Sequence, residues 1–147
     1  MKIFIASDHA GFERKTKVID YLKIQSKEVI DLGPSNDERV DYPDFANNVC
    51  ESLKNTSDSI GILICGSGQG MAMRANKFSH IRAALCWNAE VAELSRGHNR
   101  ANVLCLGSRL IEEQLTYKII DTFLNTPFEG GRHQGRVDKI SLPIKTS

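Results

Sequence analysis

The sequence has few features of a protein built around a metal ion or disulfide bonds. Its four cysteines are widely spaced, and no C-x-x-C pair occurs among Cys50, Cys65, Cys86 and Cys105. The common zinc and iron–sulfur sites use cysteines at short spacing, so we expect no bound metal. A disulfide framework is also unexpected in a 147-residue chain of this kind. Three of the cysteines lie in apolar patterns, which predicts small buried side chains at Cys50, Cys86 and Cys105.

The sequence also lacks an excess of one charge and a long apolar segment. With 19 basic and 18 acidic residues, its formal net charge is +1, which provides no overall field for nucleic acid or an acidic membrane. No window approaches the roughly 20 apolar residues of a membrane-spanning helix. The N-terminal apolar run reaches Asp8 too early for a signal peptide. We therefore expect a cytoplasmic protein with no nucleic-acid or membrane partner.

What remains is the pattern of an ordinary globular protein, with 41% apolar and 25% charged residues. No repeat, low-complexity tract or linker divides the chain, so we predict one domain over residues 1–147. Short apolar runs alternate with segments of helical periodicity. The predicted strands are 2–7, 28–32, 60–64, 82–86 and 102–106, and the predicted helices are 12–25, 43–53, 70–78, 88–96 and 110–123. This order predicts a three-layer α/β/α Rossmann-like fold with a five-stranded parallel sheet and right-handed crossovers.

In such a sheet, ligands bind beyond the carboxyl ends of the strands. Polar or glycine-rich turns follow the first, third and fifth predicted strands, at 8–9, 65–70 and 107–109. The middle turn begins with Cys65 and has glycines at alternate positions before a helical segment. A turn of this kind presents backbone N–H groups to an anion, and a thiol beside it ionises more easily than a free thiol. The sequence thus suggests a thiolate base next to an anion-binding turn.

The glycine turn is not specific by itself. Its G-x-G-x-G spacing differs from the dinucleotide fingerprint G-x-G-x-x-G, and no Lys-Ser or Lys-Thr follows to form a Walker A loop. A cysteine at the end of a strand is usually a packed thiol, whereas its place at this turn favours a reactive one. For Cys65, the residues alone leave these two interpretations equally open.

Two histidines are candidates for acid–base chemistry near neutral pH, His9 and His98. His9 follows the first predicted strand and therefore lies at its carboxyl end. His98 follows the fourth predicted helix, which runs back toward the amino edge of the sheet. His98 can meet Cys65 on one substrate only if it comes from a second subunit. If His98 is catalytic, we expect a homodimer with shared active sites, which could pair further into a tetramer.

Three arginines are candidates for binding a phosphate. Arg132 and Arg136 are four residues apart, on one face if the segment is helical, where they could clamp one phosphate group. A solvated basic surface is the alternative interpretation. Arg109, after the fifth predicted strand, is open to the same two interpretations.

Several motifs occur in one order along almost the whole chain, and together they are far more specific than any one of them. They are Ser7-Asp8-His9-Ala10-Gly11-Phe12, Asp41-Tyr42-Pro43, Ile64-Cys65-Gly66-Ser67-Gly68, Ala75-Asn76-Lys77, Leu94-Ser95-Arg96-Gly97-His98-Asn99, Gly107-Ser108-Arg109 and Glu129-Gly130-Gly131-Arg132-His133. In these motifs the chain resembles the ribose-5-phosphate isomerase type B family, which includes the subunits of galactose-6-phosphate isomerase.

This resemblance implies interconversion of ribose 5-phosphate and ribulose 5-phosphate in the non-oxidative pentose phosphate pathway, without a metal or organic cofactor. It implies that Cys65 is the base that moves a proton between C2 and C1, and that His98 is the acid that opens the furanose ring. Ser67, where family members often have threonine, would move a proton between O1 and O2. The substrate-binding residues that it implies are Asp8, His9, Gly66, Ser67, Gly68, Gln69, Gly70, Asn99, Arg109, Arg132 and Arg136.

The sequence is compatible with two other functions. The protein could instead be an isomerase of the same family that acts on a hexose 6-phosphate, such as allose or galactose 6-phosphate. The pocket length near 33–43 and the positions of the arginines would decide between the two substrates. A non-catalytic sugar-phosphate sensor is the second alternative. A sensor would need neither a base at Cys65 nor a ring-opening acid at His98, so their presence disfavours it.

Overall fold

The computed structural model describes residues 1–145; the last two residues of the predicted domain, 146 and 147, lie outside the described residues. The strands in the described part are β1 (Lys2–Ser7), β2 (Glu28–Asp31), β3 (Ser59–Cys65), β4 (Ala83–Leu85) and β5 (Val103–Gly107). The helices are α1 (Phe12–Ile24), α2 (Tyr42–Lys54), α3 (Gln69–Ala75), α4 (Ala89–Gly97), α5 (Glu113–Asn125) and α6 (Gln134–Ile140), with a 3-10 helix at Gly131–His133. No helix among these is long and apolar enough to cross a membrane.

The sheet has the strand order β2-β1-β3-β5-β4, and every neighbouring pair is parallel. The chain adds β2 on one side of β1 and then returns to place β3 on the other side. The strand order therefore reverses between β1 and β3, which is the point where open α/β sheets form their binding crevice. The central strands β1, β3 and β5 are those whose carboxyl ends carry the predicted polar turns. The parallel α/β prediction is confirmed.

Side chains alternate along β3 and fill a core on each face of the sheet. Ile62 and Ile64 point to the face covered by α1, α4 and α5, whereas Leu63 and Cys65 point to the face covered by α2 and α3. All four side chains are at most 5% exposed. A strand buried on both faces reads as a continuous apolar run, which is why this segment stands out in the sequence. The predicted three layers are present.

Two predicted helix boundaries were wrong by three residues: the third helix ends at Ala75 instead of residue 78, and the start of the fifth was also misplaced. The fifth helix begins at Glu113 instead of residue 110, and Leu110, expected on its buried face, is 69% exposed. The N–H groups of Leu110 and Ile111 both donate to the Gly107 carbonyl, at 3.1 and 3.3 Å, so the chain makes a tight turn before the helix starts. Ile111 is 8% exposed and packs into the core from that turn.

A buried charge joins α1 to the loop after β2. Lys15 is 1% exposed, and its Nζ donates to Asp31 Oδ1 at 2.7 Å and to the Pro34 carbonyl at 2.6 Å. The Nζ also lies 5.2 Å from the centre of the Phe12 ring. Burial of an ammonium group is tolerated because these acceptors replace its water. The linear pattern does not reveal this contact, since a lysine in an amphipathic helix normally faces solvent.

We expect Lys15→Met to lower the free energy of unfolding by about 1–3 kcal/mol, because it leaves the buried Pro34 carbonyl without its charged donor. Urea unfolding of the purified variant measures the change. Lys23→Met is the matched control in the same helix, since Lys23 is exposed, and it should shift stability by less than about 0.5 kcal/mol. Equal losses in the two variants would contradict a specific role for the buried ammonium.

Candidate active site

A cavity of about 370 Å³ opens at the carboxyl edge of the sheet, where β1, β3 and β5 end. Its lining combines a carboxylate, a thiol, a hydroxyl, a phenol and a guanidinium with two glycines of the turn after β3. The lining residues are Asp8, Tyr42, Cys65, Gly66, Ser67, Gly70, Arg109 and Leu110. Six of these are predicted site residues, so the topology brings together groups from three separate turns.

Cys65 is the last residue of β3 and is 5% exposed. Its Sγ accepts a hydrogen bond from the Gly68 N–H at 3.1 Å. This donor can reach back because Gly68 has φ +77°, and a Cβ there would lie 2.8 Å from the Leu106 carbonyl carbon. Glycine is therefore required at position 68 both by the backbone conformation and by the close packing. A backbone N–H aimed at the sulfur stabilises negative charge on it.

The other three thiols have a different environment from Cys65. Burial raises the pKa of Cys50 to about 12 and the pKa of Cys86 to about 11, and it raises the pKa of Cys105 as well. These thiols stay protonated at neutral pH and act as small apolar groups, as the sequence predicted. Of the two interpretations of Cys65, the structure favours the reactive thiol, because Cys65 alone among the cysteines lines this cavity.

Asp8 lies across the cavity from the thiol turn, at the end of β1. Asp8 is 7% exposed, and its Oδ1 accepts a hydrogen bond from the Gly11 N–H at 3.0 Å. This bond closes the turn that leads into α1. The Asp8 N–H donates to the Ile64 carbonyl at 3.2 Å, which ties this turn to the end of β3. The second carboxylate oxygen is left to accept hydrogen bonds from hydroxyl groups of a ligand.

The turn after β3 has fewer free backbone donors than the sequence suggested. The Gly68 N–H is directed to Cys65, and the Gln69 N–H donates to Ser67 Oγ at 3.3 Å. Gly68 and Gln69 were predicted as substrate-binding residues, but neither lines the cavity; Gly68 is buried beneath it and Gln69 points to the exterior. Gly66, Ser67 and Gly70 remain as the cavity-lining members of the turn.

Arg109 brings positive charge to the same cavity from the turn after β5. Its backbone N–H donates to the Gly66 carbonyl at 3.0 Å, and its guanidinium packs over Gly66, where a Cβ would lie 3.0 Å from Nη1. His9 is placed nearby by a different contact, because its Nδ1 accepts from the Val40 N–H at 3.3 Å. This bond connects the turn after β1 to the polar loop at 33–43, although His9 does not line the cavity.

Tyr42 is a lining residue that was not among the predicted site residues. It begins α2, and its ring packs on Gly70, where a Cβ would lie 2.5 Å from the Tyr42 Cζ. The phenol is 38% exposed and forms one wall of the cavity. The signal in the sequence was its place in a long polar loop before Pro43, but a helix-start turn explained that pattern equally well.

His98 lies elsewhere in the chain. It follows α4, its Nε2 is 3.2 Å from Glu129 Oε2, and its ring stacks on His133 with centroids 4.2 Å apart. Glu129 is held there because its N–H donates to the Gly97 carbonyl at 3.0 Å. No contact in the described residues joins this cluster to Cys65. Glu129 and His133 were visible in a motif but had no predicted role.

The remaining predicted site residues also lie outside the cavity. Asn99 lines a separate cavity that includes Asn76 and Arg82. Arg132 is exposed in the 3-10 helix and Arg136 is exposed in α6. Within one chain, the structure therefore separates the predicted residues into a group with Cys65 and a group around His98.

Among the described residues, His98, Glu129 and His133 form a cluster that could hold a metal, with ligand atoms within 4.8 Å of one another. The two imidazole planes differ by only 14°, so their lone pairs run side by side, whereas a tetrahedral ion needs them to converge. Arg132 Nε also lies 3.5 Å from His133 Nε2 and places a positive charge there. The arrangement suits an acid–base hydrogen-bonded cluster better than a metal.

Burial lowers the pKa of His133, and the neighbouring His98 and Arg132 lower it further. The unfolded chain therefore binds more protons than the native protein near the ordinary value of 6.5, so stability should fall as the pH drops through that range. We expect His133→Asn to flatten this dependence, measured by urea unfolding between about pH 8 and about pH 5. The slopes are compared, since the variant also loses packing; an unchanged slope would contradict the assignment.

The fold and this cavity define an α/β protein with a polar site at the carboxyl edge of a parallel sheet, at the reversal of strand order. The family model for ribose/galactose isomerases matches residues 3–140. The chain belongs to this family.

Known relatives are similar over nearly their whole length. Ribose-5-phosphate isomerase B of Escherichia coli is 44% identical over 140 residues, which are 95% of this chain and 94% of the relative. The structure of ribose-5-phosphate isomerase B from Clostridium thermocellum has a TM-score of 0.93 and 48% identity, covering 96% of this chain and 95% of that chain. The enzyme from Mycoplasma genitalium, whose structure has bound ribulose 5-phosphate, has a TM-score of 0.91 and 49% identity, covering 95% of this chain and 93% of that chain.

Proposed function

We propose that this protein is a ribose-5-phosphate isomerase, which interconverts ribose 5-phosphate and ribulose 5-phosphate as a single cytoplasmic domain. The observation that carries the proposal is the cavity at the carboxyl edge, where the Cys65 thiol lies with Asp8, Ser67 and Arg109. Similarity to relatives that carry this name, one with ribulose 5-phosphate bound, supports the choice of substrate.

In the proposed reaction, the Cys65 thiolate removes the proton from C2 of the open-chain aldose. The electron pair of the C2–H bond forms the C1–C2 double bond, and the carbonyl oxygen O1 takes the negative charge of the enediolate. The same sulfur then returns the proton to C1, and the ketone forms at C2. The carbon atoms exchange oxidation states within one molecule, so the step needs no external oxidant or reductant.

The developing charge on the enediolate requires donors in fixed positions. The turn after β3 supplies them in this proposal, from the backbone at Gly66, Ser67 and Gly70, with Gly68 reserved for the sulfur. The Ser67 hydroxyl, which faces the cavity, moves a proton between O1 and O2. Asp8 accepts hydrogen bonds from substrate hydroxyls with its free carboxylate oxygen. Gln69 has a supporting role, because its N–H orients Ser67.

The phosphate group is bound away from the reacting carbons. Arg109 provides a guanidinium at the cavity wall, and His9 lies beside the same edge. Binding energy from a remote phosphate positions the sugar for proton transfer. Arg132 and Arg136 join this phosphate site in the proposal, but from a second copy of the chain, since both lie outside the cavity of their own chain.

His98 and Asn99 are assigned to the cavity of the partner subunit for the same reason. Both residues follow the end of α4 and precede β5. They therefore lie toward the amino edge of the sheet, and the five residues of β5 separate them from the edge where Cys65 lies. A homodimer with shared sites brings the ring-opening acid to the thiol. In this arrangement Glu129 accepts from His98 Nε2 and leaves Nδ1 free for the substrate.

A substrate panel tests the proposal. Purified protein is given ribose 5-phosphate, allose 6-phosphate and galactose 6-phosphate separately, and product formation is followed by proton NMR. We expect the pentose phosphate to have the highest kcat/KM. A clear preference for a hexose phosphate would keep the reaction and change the substrate, and no turnover of any of the three would overturn the proposal.

A further inference from the structure

A second cavity lies at the opposite, amino edge of the sheet and has a volume of about 300 Å³. Its wall is formed where β3 and β5 begin, and three arginines line it, Arg82, Arg96 and Arg100. β3 has seven residues, so the two edges are about 20 Å apart at the usual rise of a strand. This cavity is therefore separate from the one that contains Cys65.

The arginines are fixed by the segment that leads into β5. Arg82 Nε donates to the Arg100 carbonyl at 2.9 Å, and Arg96 Nη1 donates to the Ala101 carbonyl. Neutral carbonyl oxygens orient these guanidinium groups but do not balance their charge. The acceptors of Arg82 and Arg96 are neighbouring carbonyls, so the backbone holds these two side chains close to each other. Arg100 belongs to the same segment before β5, lines the cavity and is exposed.

In the lining of this cavity, three guanidinium groups outnumber the acidic groups. Among the described residues that line the cavity, Asp58 is the one carboxylate, and its side chain is 80% exposed and turned to the Met1 nitrogen at 3.2 Å. Burial lowers the pKa of Arg82 and of Arg96, and the charge of Arg100 lowers both further. An anion bound between the cations offsets this mutual repulsion.

Arg96 also has a buried N–H group, at Nε, that makes no hydrogen bond within the described part of the chain. Its guanidinium carbon lies 5.3 Å from the centre of the Phe123 ring, which holds the group in place beneath the cavity. Arg96 therefore lines a cavity with two other arginines while one of its own donors is unpaired.

We propose that the amino-edge cavity, lined by Arg82, Arg96 and Arg100, binds a phosphate dianion, either inorganic phosphate or the phosphate group of a small ester. Planar guanidinium groups form paired hydrogen bonds to phosphate oxygens, and Asn102, which also lines the cavity, supplies an amide. Within one chain, this site shares no lining residue with the cavity of Cys65.

Residue-resolved NMR distinguishes the two sites by position. Uniformly ¹⁵N-labelled full-length protein is titrated with inorganic phosphate and, separately, with glycerol 3-phosphate, at constant ionic strength set with sodium chloride. We expect saturable shifts of the amides at 58–60, in addition to any at 65–70 and at 98–102, which lie in or beside the two parts of the proposed shared isomerase site. A lower midpoint concentration in the titration with the ester would identify an organic phosphate as the better ligand. A lower midpoint concentration with inorganic phosphate would identify the free ion.

Two variants test the assignment of the arginines. Arg100→Gln changes an exposed side chain, and Arg82→Gln removes a second guanidinium from the cavity. Each should weaken binding at the amino edge by about tenfold, which is about 1.4 kcal/mol. The double variant Lys23→Gln and Lys54→Gln removes two exposed charges elsewhere and should leave the midpoint unchanged. Folding is verified from the unperturbed remainder of each spectrum.

Three results would overturn the proposal. The first is shifts confined to 65–70 and 98–102, which would leave phosphate binding to the shared isomerase site alone. The second is an equal midpoint in the arginine variants and the wild type. The third is reproduction of the shifts by sodium chloride alone, which would make them an ionic-strength effect. Loss of isomerase activity is not one of these results, so failure of the proposed function remains distinguishable.

Discussion

Replacement of Cys65 with alanine is expected to lower kcat for ribose 5-phosphate by about 10²–10⁴-fold, the usual contribution of a positioned general base. The substitution removes the sulfur that faces the cavity and leaves the Gly68 N–H without its acceptor. Alanine keeps the β3 backbone intact, so phosphate binding should remain near the wild-type level. Steady-state kinetics and a phosphate titration of the same preparation measure both quantities.

Cys50→Ala is the matched control for this variant. Cys50 is a fully buried thiol on the same face of the sheet, and burial keeps it protonated by raising its pKa to about 12. The control should lose some stability through its cavity but retain its kcat. Full activity in Cys65→Ala, or an equal loss of kcat in both variants, would contradict the role of Cys65 as base.

His98→Asn is expected to have the second-largest effect, and the effect should depend on the direction of the reaction. Ribose 5-phosphate is mainly cyclic and needs an acid to open its ring, whereas ribulose 5-phosphate has its C5 oxygen blocked by phosphate and is already open. We expect the forward kcat/KM to fall by about 10²-fold and the reverse initial rate to fall much less. Equal losses in the two directions would contradict ring opening by His98.

The shared site can be tested with the same two variants. Mixing Cys65→Ala and His98→Asn subunits in equal amounts should produce hybrid dimers with one intact site, and statistical exchange then restores about a quarter of the wild-type activity. Mass spectrometry of tagged subunits verifies the exchange. No recovery after verified exchange would place Cys65 and His98 in the same subunit site and contradict the dimer proposal.

The sequence predicted the parallel sheet and the cavity of Cys65 for a simple physical reason. The run before Cys65 is buried on both faces, so its apolar pattern is continuous, and strands of one direction bring their polar turns to one edge. Asp8, Ser67 and Arg109 could therefore be grouped with Cys65 before their positions were known.

Other features depend on contacts that a linear pattern does not contain. The start of α5 was misplaced because Leu110 continues an apolar spacing, while the two N–H groups directed at Gly107 make a turn there. The packing of Tyr42 on Gly70 joins residues 28 positions apart, and the amino-edge arginines come from α4 and from the loops that precede β4 and β5. Burial of Lys15 likewise depends on a carbonyl from a distant loop.

The most direct test of the account follows the proton at C2. Ribose 5-phosphate labelled with deuterium at C2 is incubated in ordinary water, and the label is followed by NMR during turnover by the wild type and by Cys65→Ala. We expect a primary isotope effect on kcat/KM in the wild type, and loss of both isomerisation and departure of deuterium from C2 in the variant. Label release or turnover at the wild-type rate in Cys65→Ala would contradict proton transfer by this thiol.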